Sequence, residues 1–264
     1  MLVDDLIALK KYFLGVTSIV SEHKNDNRYN RLKVTACNQS ILLFVRYPEK
    51  GRVKTRLEAH LSQDKIRTLY QYFVEDILAS LRKTVYPVMV CCLPSEKQAR
   101  IKAWLGPSLA YCSQKGVDIG ERMGNAFALA FTATTPPADR AILIGSDFPD
   151  LDPGIVHQAF DALHQNDVTL GPAIDGGYYL IGFNRQAFSK EIFDGVPWGT
   201  GQVFAETMQK IELAGLRVHV LPAWRDIDTF EDLKTFYKKA EQKGLGKLKT
   251  LAYLKNILGA SIPE

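Results

Sequence analysis

A cluster of positive charge follows the first strongly apolar run of the sequence. The run at residues 41–45 (ILLFV) is typical of a buried strand, and ligands of open α/β sheets bind at the carboxyl ends of strands. The loop at residues 46–56 can therefore neutralise phosphate groups, and Gly51 lets the backbone approach a ligand closely. The alternative interpretation is a solvated basic loop. The five cations of this loop are Arg46, Lys50, Arg52, Lys54 and Arg56.

An aspartate follows the strand predicted at residues 140–145 (RAILIG). A carboxylate at the position of Asp147 can hold Mg²⁺ or Mn²⁺ while substrate phosphates supply further ligands. The alternative is that the aspartates of this segment only cap a turn and the next helix. Asp152, which precedes Pro153, has the pattern of a helix N-cap. We therefore assign the metal role to Asp147 and the capping role to Asp152.

The segment Asp175-Gly176-Gly177 predicts a hairpin turn between two strands, and a turn without further function is the alternative interpretation. Asp175 would project from the edge of the sheet, and a pocket beside it would be shaped by Gly176, Gly177, Tyr178 and Tyr179. These positions make Asp175 a candidate for positioning an acceptor or for general base catalysis.

Two further segments can contribute to the same site. Asp228 precedes a helix that Thr229 is expected to cap, so Asp228 is either a second metal ligand or a second N-terminal cap. Trp198 opens a glycine-rich loop that can cover a pocket, although tryptophan is more often a core residue.

Strands that alternate with helices predict an α/β fold, in which a mostly parallel sheet carries helices on both faces. Helices are predicted at residues 66–81, 119–131 and 201–214, after a capping box formed by Ser95 and Gln98, after Asp152, and after Thr229. The predicted strands are residues 41–45, 86–93, 109–113, 140–145, 168–172, 178–183 and 216–221.

The N-terminal segment differs from the rest of the chain. Apolar residues recur at steps of three and four over residues 2–20, which predicts an amphipathic helix, and residues 21–33 are polar. We therefore treat residues 1–36 as an N-terminal helical extension with its linker, and residues 37–264 as the main domain.

Composition narrows the class of partner. The chain has 264 residues, 46% of them hydrophobic, and a net charge of +4. Because the excess charge is local, it favours a phosphate-bearing small molecule over nucleic acid.

No apolar run approaches the ~20 residues that span a bilayer, and the N-terminus does not have the pattern of a signal peptide. Four cysteines without a C-x-x-C pair indicate buried, reduced thiols and a cytoplasmic protein.

Taken in order, these segments resemble a bacterial family assigned to nucleotide-diphospho-sugar transferases, with a glycosyltransferase-A-like (GT-A) fold. The resemblance covers roughly residues 40–240. Residues 118–123 (DIGERM), 145–151 (GSDFPDL), 171–182 and 198–200 (WGT) resemble successive family segments, and residues 226–233 (DIDTFEDL) resemble an ending shared with sugar nucleotidyltransferases and 2-phospholactate guanylyltransferase. The opening motif is matched by Pro48, Gly51, Lys54, Thr55, Arg56 and Leu57.

The resemblance implies a nucleotide site built on the first strands, with Thr55 added to the basic loop. It also implies a divalent metal, Mg²⁺ or Mn²⁺, held by Asp147 and Asp228. We expect glycosyl transfer from a nucleotide-diphospho-sugar to a small-molecule acceptor. Nucleotidyl transfer that releases pyrophosphate and a nucleotide-binding module without catalysis are the alternatives.

Overall fold

The computed structural model describes residues 38–258, which form one seven-stranded sheet in the order β3-β2-β1-β4-β6-β5-β7. Every strand runs in one direction except β6, which pairs antiparallel with both β4 and β5. The prediction of a mostly parallel α/β sheet is confirmed. The strands are β1 (Gln39–Arg46), β2 (Val88–Leu93), β3 (Ala110–Ser113), β4 (Arg140–Ile144), β5 (Val168–Pro172), β6 (Tyr178–Asn184) and β7 (Val218–Val220).

Helices pack against this sheet and supply the apolar cover that its strands require. Short 3₁₀ helices precede or join them at Thr55–Leu57, Ser95–Lys97 and Lys190–Phe193. The α-helices are α1 (Gln63–Leu81), α2 (Gln98–Leu105), α3 (Ile119–Thr132), α4 (Pro153–Ala162), α5 (Val203–Leu213), α6 (Phe230–Gln242) and α7 (Lys249–Leu258).

Strand β1 explains why the sequence shows a continuous apolar run rather than an alternating one. Ile41, Leu43 and Val45 face one core cluster, while Leu42 and Phe44 face the other. Successive strand residues point to opposite faces, so a strand that is covered on both faces is apolar throughout.

The hairpin between β5 and β6 brings the D-G-G turn to the functional edge of the sheet. Because β5 runs parallel to β1 and β4, its last residue, Pro172, lies at the edge where those strands also end. The reversed strand β6 then begins at Tyr178 beside that edge. Asp175 is therefore placed near the ends of β1 and β4, as the hairpin prediction requires.

Some local predictions need correction. The capping box at Ser95 and Gln98 is wrong: Ser95 starts a 3₁₀ helix and its hydroxyl contacts Glu96, while α2 begins at Gln98 without a side-chain cap. Helix α7 was not predicted, although leucines recur along it at helical spacing.

The predicted N-terminal helix lies outside the described residues. Within residues 38–258, no helix is long and apolar enough to cross a membrane.

The thiols of the described region occupy the core. Cys91, Cys92 and Cys112 are buried and free, as the sequence predicts. Burial raises the pKa of the Cys91 thiol well above its usual range, so these cysteines act as small apolar residues.

Candidate active site

A cleft of about 840 Å³ opens at the carboxyl edge of the sheet. Its floor is formed where β1, β4 and β6 meet, and Phe44, Leu143 and Tyr179 line it there. The 46–56 loop forms one wall, and the segment that begins at Trp198 forms another. This is the position at which open α/β sheets bind ligands.

A buried lysine joins two carboxylates in this cleft. Lys54 Nζ lies 2.9 Å from Asp147 Oδ1 and 3.5 Å from Asp228 Oδ1. The Lys54 side chain is only 6% exposed, whereas those of Asp147 and Asp228 are 41% and 31% exposed. The ammonium group is therefore enclosed by the protein, while both carboxylates keep a surface open to a ligand.

The backbone holds Lys54 in an uncommon conformation. Among the described residues it is the one non-glycine residue with positive φ, at 47°. It precedes the 3₁₀ helix Thr55–Leu57, and buried Val53 and Leu57 anchor the chain on both sides. A left-handed lysine costs conformational energy. The anchors fix the Lys54 Cα, and its four-carbon side chain then reaches the carboxylates.

The helix caps show why these two aspartates are free to face the cleft. Asp152 Oδ1 accepts a hydrogen bond from the Gly154 amide at 2.6 Å and so caps α4. Thr229 caps α6 through a reciprocal capping box with Asp232. Neither Asp147 nor Asp228 is needed as a cap.

A backbone contact brings the two aspartate segments together. The Ile227 amide donates to the Asp147 carbonyl at 3.2 Å, so Asp228 lies beside the end of β4. Arg56 approaches from the solvent side, and its Nη1 lies 2.6 Å from Asp228 Oδ2. The Arg56 side chain is 70% exposed, which leaves most of its guanidinium accessible.

A buried tyrosine supports the floor beneath Asp147. The Tyr70 hydroxyl lies 2.9 Å from Ser146 Oγ and accepts a hydrogen bond from the Arg46 amide at 3.1 Å. Burial, and secondarily the negative charge of Asp147, raises the pKa of Tyr70 to about 12. Tyr70 therefore stays protonated at neutral pH and fixes the chain on both sides of the cleft floor.

Asp175 lines the cleft within an exposed turn. Its Oδ1 accepts a hydrogen bond from the Gly177 amide at 3.0 Å. Asp226 lies close enough to Asp175 for the two carboxylates to interact. Burial, and then the negative charge of Asp175, raises the pKa of Asp226 to about 6, although the positive charge of Lys54 lowers it. Four carboxylates and one buried ammonium thus share this region.

The Trp198 loop is fixed against two neighbouring elements. The Phe204 amide donates to the Gly176 carbonyl at 2.9 Å, which ties the start of α5 to the D-G-G turn. The Trp198 ring covers Gly120 at the start of α3, where a Cβ atom would lie 2.6 Å from the ring. Only glycine leaves room for the indole at that position. Trp198 is thereby held as one wall of the cleft.

The structure brings together most of the candidate residues. Gly51, Thr55 and Gly176 do not line the cleft; Gly51 and Gly176 adopt positive φ and shape the turns, and Thr55 starts the 3₁₀ helix. Lys50 turns away to pair with Asp64 at 2.8 Å. The candidates that line the cleft are Arg46, Arg52, Lys54, Arg56, Asp147, Asp175, Gly177, Tyr178, Trp198 and Asp228.

Other lining residues were not singled out from the sequence. Arg122 belongs to the DIGERM segment, and its Nε donates to the Gly116 carbonyl at 3.0 Å. The resemblance of that segment to the family was the one sequence feature that could have pointed to Arg122. Tyr70 and Gln114 gave no signal: Tyr70 lies in a segment whose apolar pattern only predicts a helix, and Gln114 is a single polar residue just after strand β3.

The two carboxylates fit a hard divalent cation. Asp147 and Asp228 converge on a single ammonium nitrogen, so their oxygen atoms already surround one positive charge. Within residues 38–258, no group of three or more histidine, cysteine, aspartate or glutamate residues could hold a metal by itself. Mg²⁺ commonly takes one or two carboxylates and completes its shell with phosphate and water, which matches this donor set.

Comparison with known proteins identifies a bacterial protein family and a crystal structure of a related protein. A family model described as "Uncharacterized protein conserved in bacteria (DUF2064)" matches residues 77–200. A crystal structure from Desulfovibrio desulfuricans G20, described provisionally as a nucleotide-diphospho-sugar transferase, is 40% identical. The match covers 83% of this chain and 94% of that one, with a TM-score of 0.78. No curated protein matches the chain.

More distant structures share the fold alone. A 4-diphosphocytidyl-2C-methyl-D-erythritol synthase from Anaerococcus prevotii DSM 20548 is 10% identical, with a TM-score of 0.52 over 81% of this chain and 100% of that one. A nucleotidyl transferase from Methanothermobacter thermautotroptrophicus is 13% identical, with a TM-score of 0.50 over 80% and 99%.

The sheet order and the cleft place this protein in the α/β class that has the nucleotide-diphospho-sugar transferase fold. Within that class, the chain belongs to the DUF2064 family of bacterial proteins.

Proposed function

We propose that this protein is a metal-dependent transferase that moves a glycosyl group from a nucleotide-diphospho-sugar to a small-molecule acceptor. The observation that carries the proposal is the contact of buried Lys54 with Asp147 and Asp228 inside the cleft. The identity of 40% with the Desulfovibrio protein supports the same class of donor.

The donor diphosphate would bind between the basic loop and this cluster. Arg46 and Arg52 line the cleft, and neither forms an ion pair with a described carboxylate. Their guanidinium groups are suited to paired hydrogen bonds with phosphate oxygens. Lys54, nearly enclosed, would supply a point charge in the lining of the cleft, where partial desolvation strengthens its attraction for phosphate.

A divalent cation would complete the charge balance. Asp147 and Asp228 would hold Mg²⁺ or Mn²⁺, and the bound ion would offset negative charge on the departing diphosphate. Lys54 and Arg56 then act on the same diphosphate from the protein side and stabilise the charge that develops as the bond to the sugar breaks.

The acceptor would enter beside Asp175, on the side of the cleft that Trp198 and Tyr178 line. The Asp175 carboxylate is oriented by the Gly177 amide and is open to the cleft. It would accept the proton of the attacking hydroxyl, since an oriented carboxylate within hydrogen-bond reach can act as a general base.

Nucleotidyl transfer is the second candidate. Arg46 and Arg52, neither of which forms a close ion pair with a carboxylate of residues 38–258, would suit a pyrophosphate leaving group. In that reaction, a phosphate of the second substrate attacks the α-phosphorus of a nucleoside triphosphate, and pyrophosphate departs.

One product assay separates the candidates. The full-length protein is incubated with Mg²⁺ or Mn²⁺, a panel of nucleotide-sugars and nucleoside triphosphates, and small acceptors. Glycosyl transfer releases a nucleoside diphosphate from a nucleotide-sugar, whereas nucleotidyl transfer releases pyrophosphate from a triphosphate. Nucleotide binding without either product across the panel would contradict both and leave a binding module.

A further inference from the structure

Lys54 occupies the place that a divalent cation would take between the two carboxylates. Its ammonium nitrogen lies 2.9 Å from Asp147 Oδ1 and 3.5 Å from Asp228 Oδ1. A metal ion that binds oxygen atoms of both residues would lie within a few ångströms of the same point. The ammonium and the metal ion repel each other at such a separation, so both cannot occupy the pair together.

The two carboxylates that would hold a metal ion are already paired with two positive groups. Two carboxylates, Asp147 and Asp228, face one ammonium group and one guanidinium group, Lys54 and Arg56, at distances of 3.5 Å or less. A divalent ion added to this set would leave an excess of positive charge. Nucleotide phosphates remove that excess, because they supply the negative charge that both the ion and the displaced ammonium need.

The backbone allows Lys54 to change partners while the loop stays in place. Buried Val53 and Leu57 flank its left-handed Cα, so the main chain is held. The flexible four-carbon side chain carries the charge, and it can rotate from the carboxylates towards phosphates in the cleft. Because its Cα is anchored and its side chain is flexible, the Lys54 ammonium can contact either the two carboxylates or the phosphates.

We infer that Lys54 is an internal competitor for the metal site. In the nucleotide-free protein its ammonium fills the Asp147–Asp228 pair and excludes the divalent ion. When the donor binds, Lys54 moves to the phosphates and the ion enters. The order of binding is then nucleotide before metal, or both as a metal–nucleotide complex. This inference rests on the proposed metal role of Asp147 and Asp228.

The test measures Mn²⁺ binding alone, without nucleotide, by the loss of the electron paramagnetic resonance signal of free Mn²⁺ in full-length protein. Lys54→Gln removes the charge and keeps much of the length of the side chain. We expect it to bind Mn²⁺ at least about tenfold more tightly than the wild type, because an opposing charge is removed. An increase in metal affinity would be an unusual result, because the substitution removes a residue that is proposed to bind phosphate.

Lys50→Gln is the matched control. It makes the same substitution in the same loop, but Lys50 pairs with Asp64 and does not contact the two carboxylates. It should leave Mn²⁺ affinity at the wild-type value. Adding Asp147→Asn to Lys54→Gln should abolish the gain. If Lys54→Gln folds poorly in a thermal melt, Lys54→Gly serves instead, because glycine accepts the positive φ.

Three results would overturn the inference. These are an unchanged or weaker Mn²⁺ affinity in Lys54→Gln, an equal gain in Lys50→Gln, or a gain that survives Asp147→Asn. None of them decides the transfer reaction, which the product assay tests separately with nucleotide present. The protein could be an active transferase while its Lys54→Gln variant binds Mn²⁺ no better than the wild type does. In that case the proposed function stands, and only the competition between Lys54 and the metal ion is refuted.

Discussion

Asp147→Asn should abolish metal-dependent turnover while the protein remains folded. The substitution keeps the size of the side chain and removes the charge that would hold the metal ion. Asp147 would act on charge at the reacting phosphate through the metal ion that it holds, and loss of one group that stabilises such charge typically lowers turnover about 10²–10³-fold, or by roughly 3–4 kcal/mol.

The effect of this substitution on stability should be much smaller. The Asp147 side chain is 41% exposed, and ion pairs that solvent reaches contribute about 0–1 kcal/mol. Lys54 also keeps Asp228 at 3.5 Å as a second partner, so its ammonium is not left alone. Turnover measured against metal concentration and a thermal melt of the same sample separate the two effects.

Asp152→Asn is the control for Asp147→Asn, because asparagine caps helices about as well as aspartate. It should leave turnover and stability nearly unchanged. Asp228→Asn should resemble Asp147→Asn in kind, with loss of turnover in a folded protein. An inactive Asp152→Asn together with an active, metal-dependent Asp147→Asn would refute the assignment of the metal site.

Three further outcomes are expected elsewhere in the molecule. Gly120→Ala should lower stability by about 1–3 kcal/mol and weaken donor or acceptor binding, because the new methyl group would meet the Trp198 ring; a thermal melt and substrate titration check this. Asp76→Ala should cost about 1–3 kcal/mol in denaturant unfolding, since buried Asp76 accepts hydrogen bonds from the first two amides of α7; an unchanged midpoint would contradict this. Deletion of residues 1–36 should preserve nucleotide affinity, measured by calorimetry on a truncation whose melt shows it to be folded.

The strongest sequence predictions concern positions where local chemistry and tertiary context require the same residue. The run at residues 41–45 predicts a strand covered on both faces, and β1 has that environment. Thr229 and Asp152 cap their helices as predicted, because capping involves residues only two or three positions apart. The Ser95 prediction failed although its pattern was similar, because the chain there first forms a 3₁₀ turn.

The candidate site could be predicted only in parts. The basic loop, Asp147, Asp175 and Asp228 were each found separately, by their position after a strand or before a helix. Nothing in their local spacing separated ligand from cap for Asp228. The structure removes the cap role, because Thr229 and Asp232 satisfy the helix start by themselves, and the ligand role of Asp228 stays a prediction.

The sequence by itself determined the alternation of strands and helices, the cap residues and the chemical character of the basic loop, because each depends on neighbours within a few positions. Only the tertiary structure decided that Lys54 lies between Asp147 and Asp228. That contact requires β1 to pair with β4 and the Ile227 amide to bind the Asp147 carbonyl. Arg56 meets Asp228 across 172 positions of the chain. Strand order sets such distances, and local periodicity carries no information about strand order.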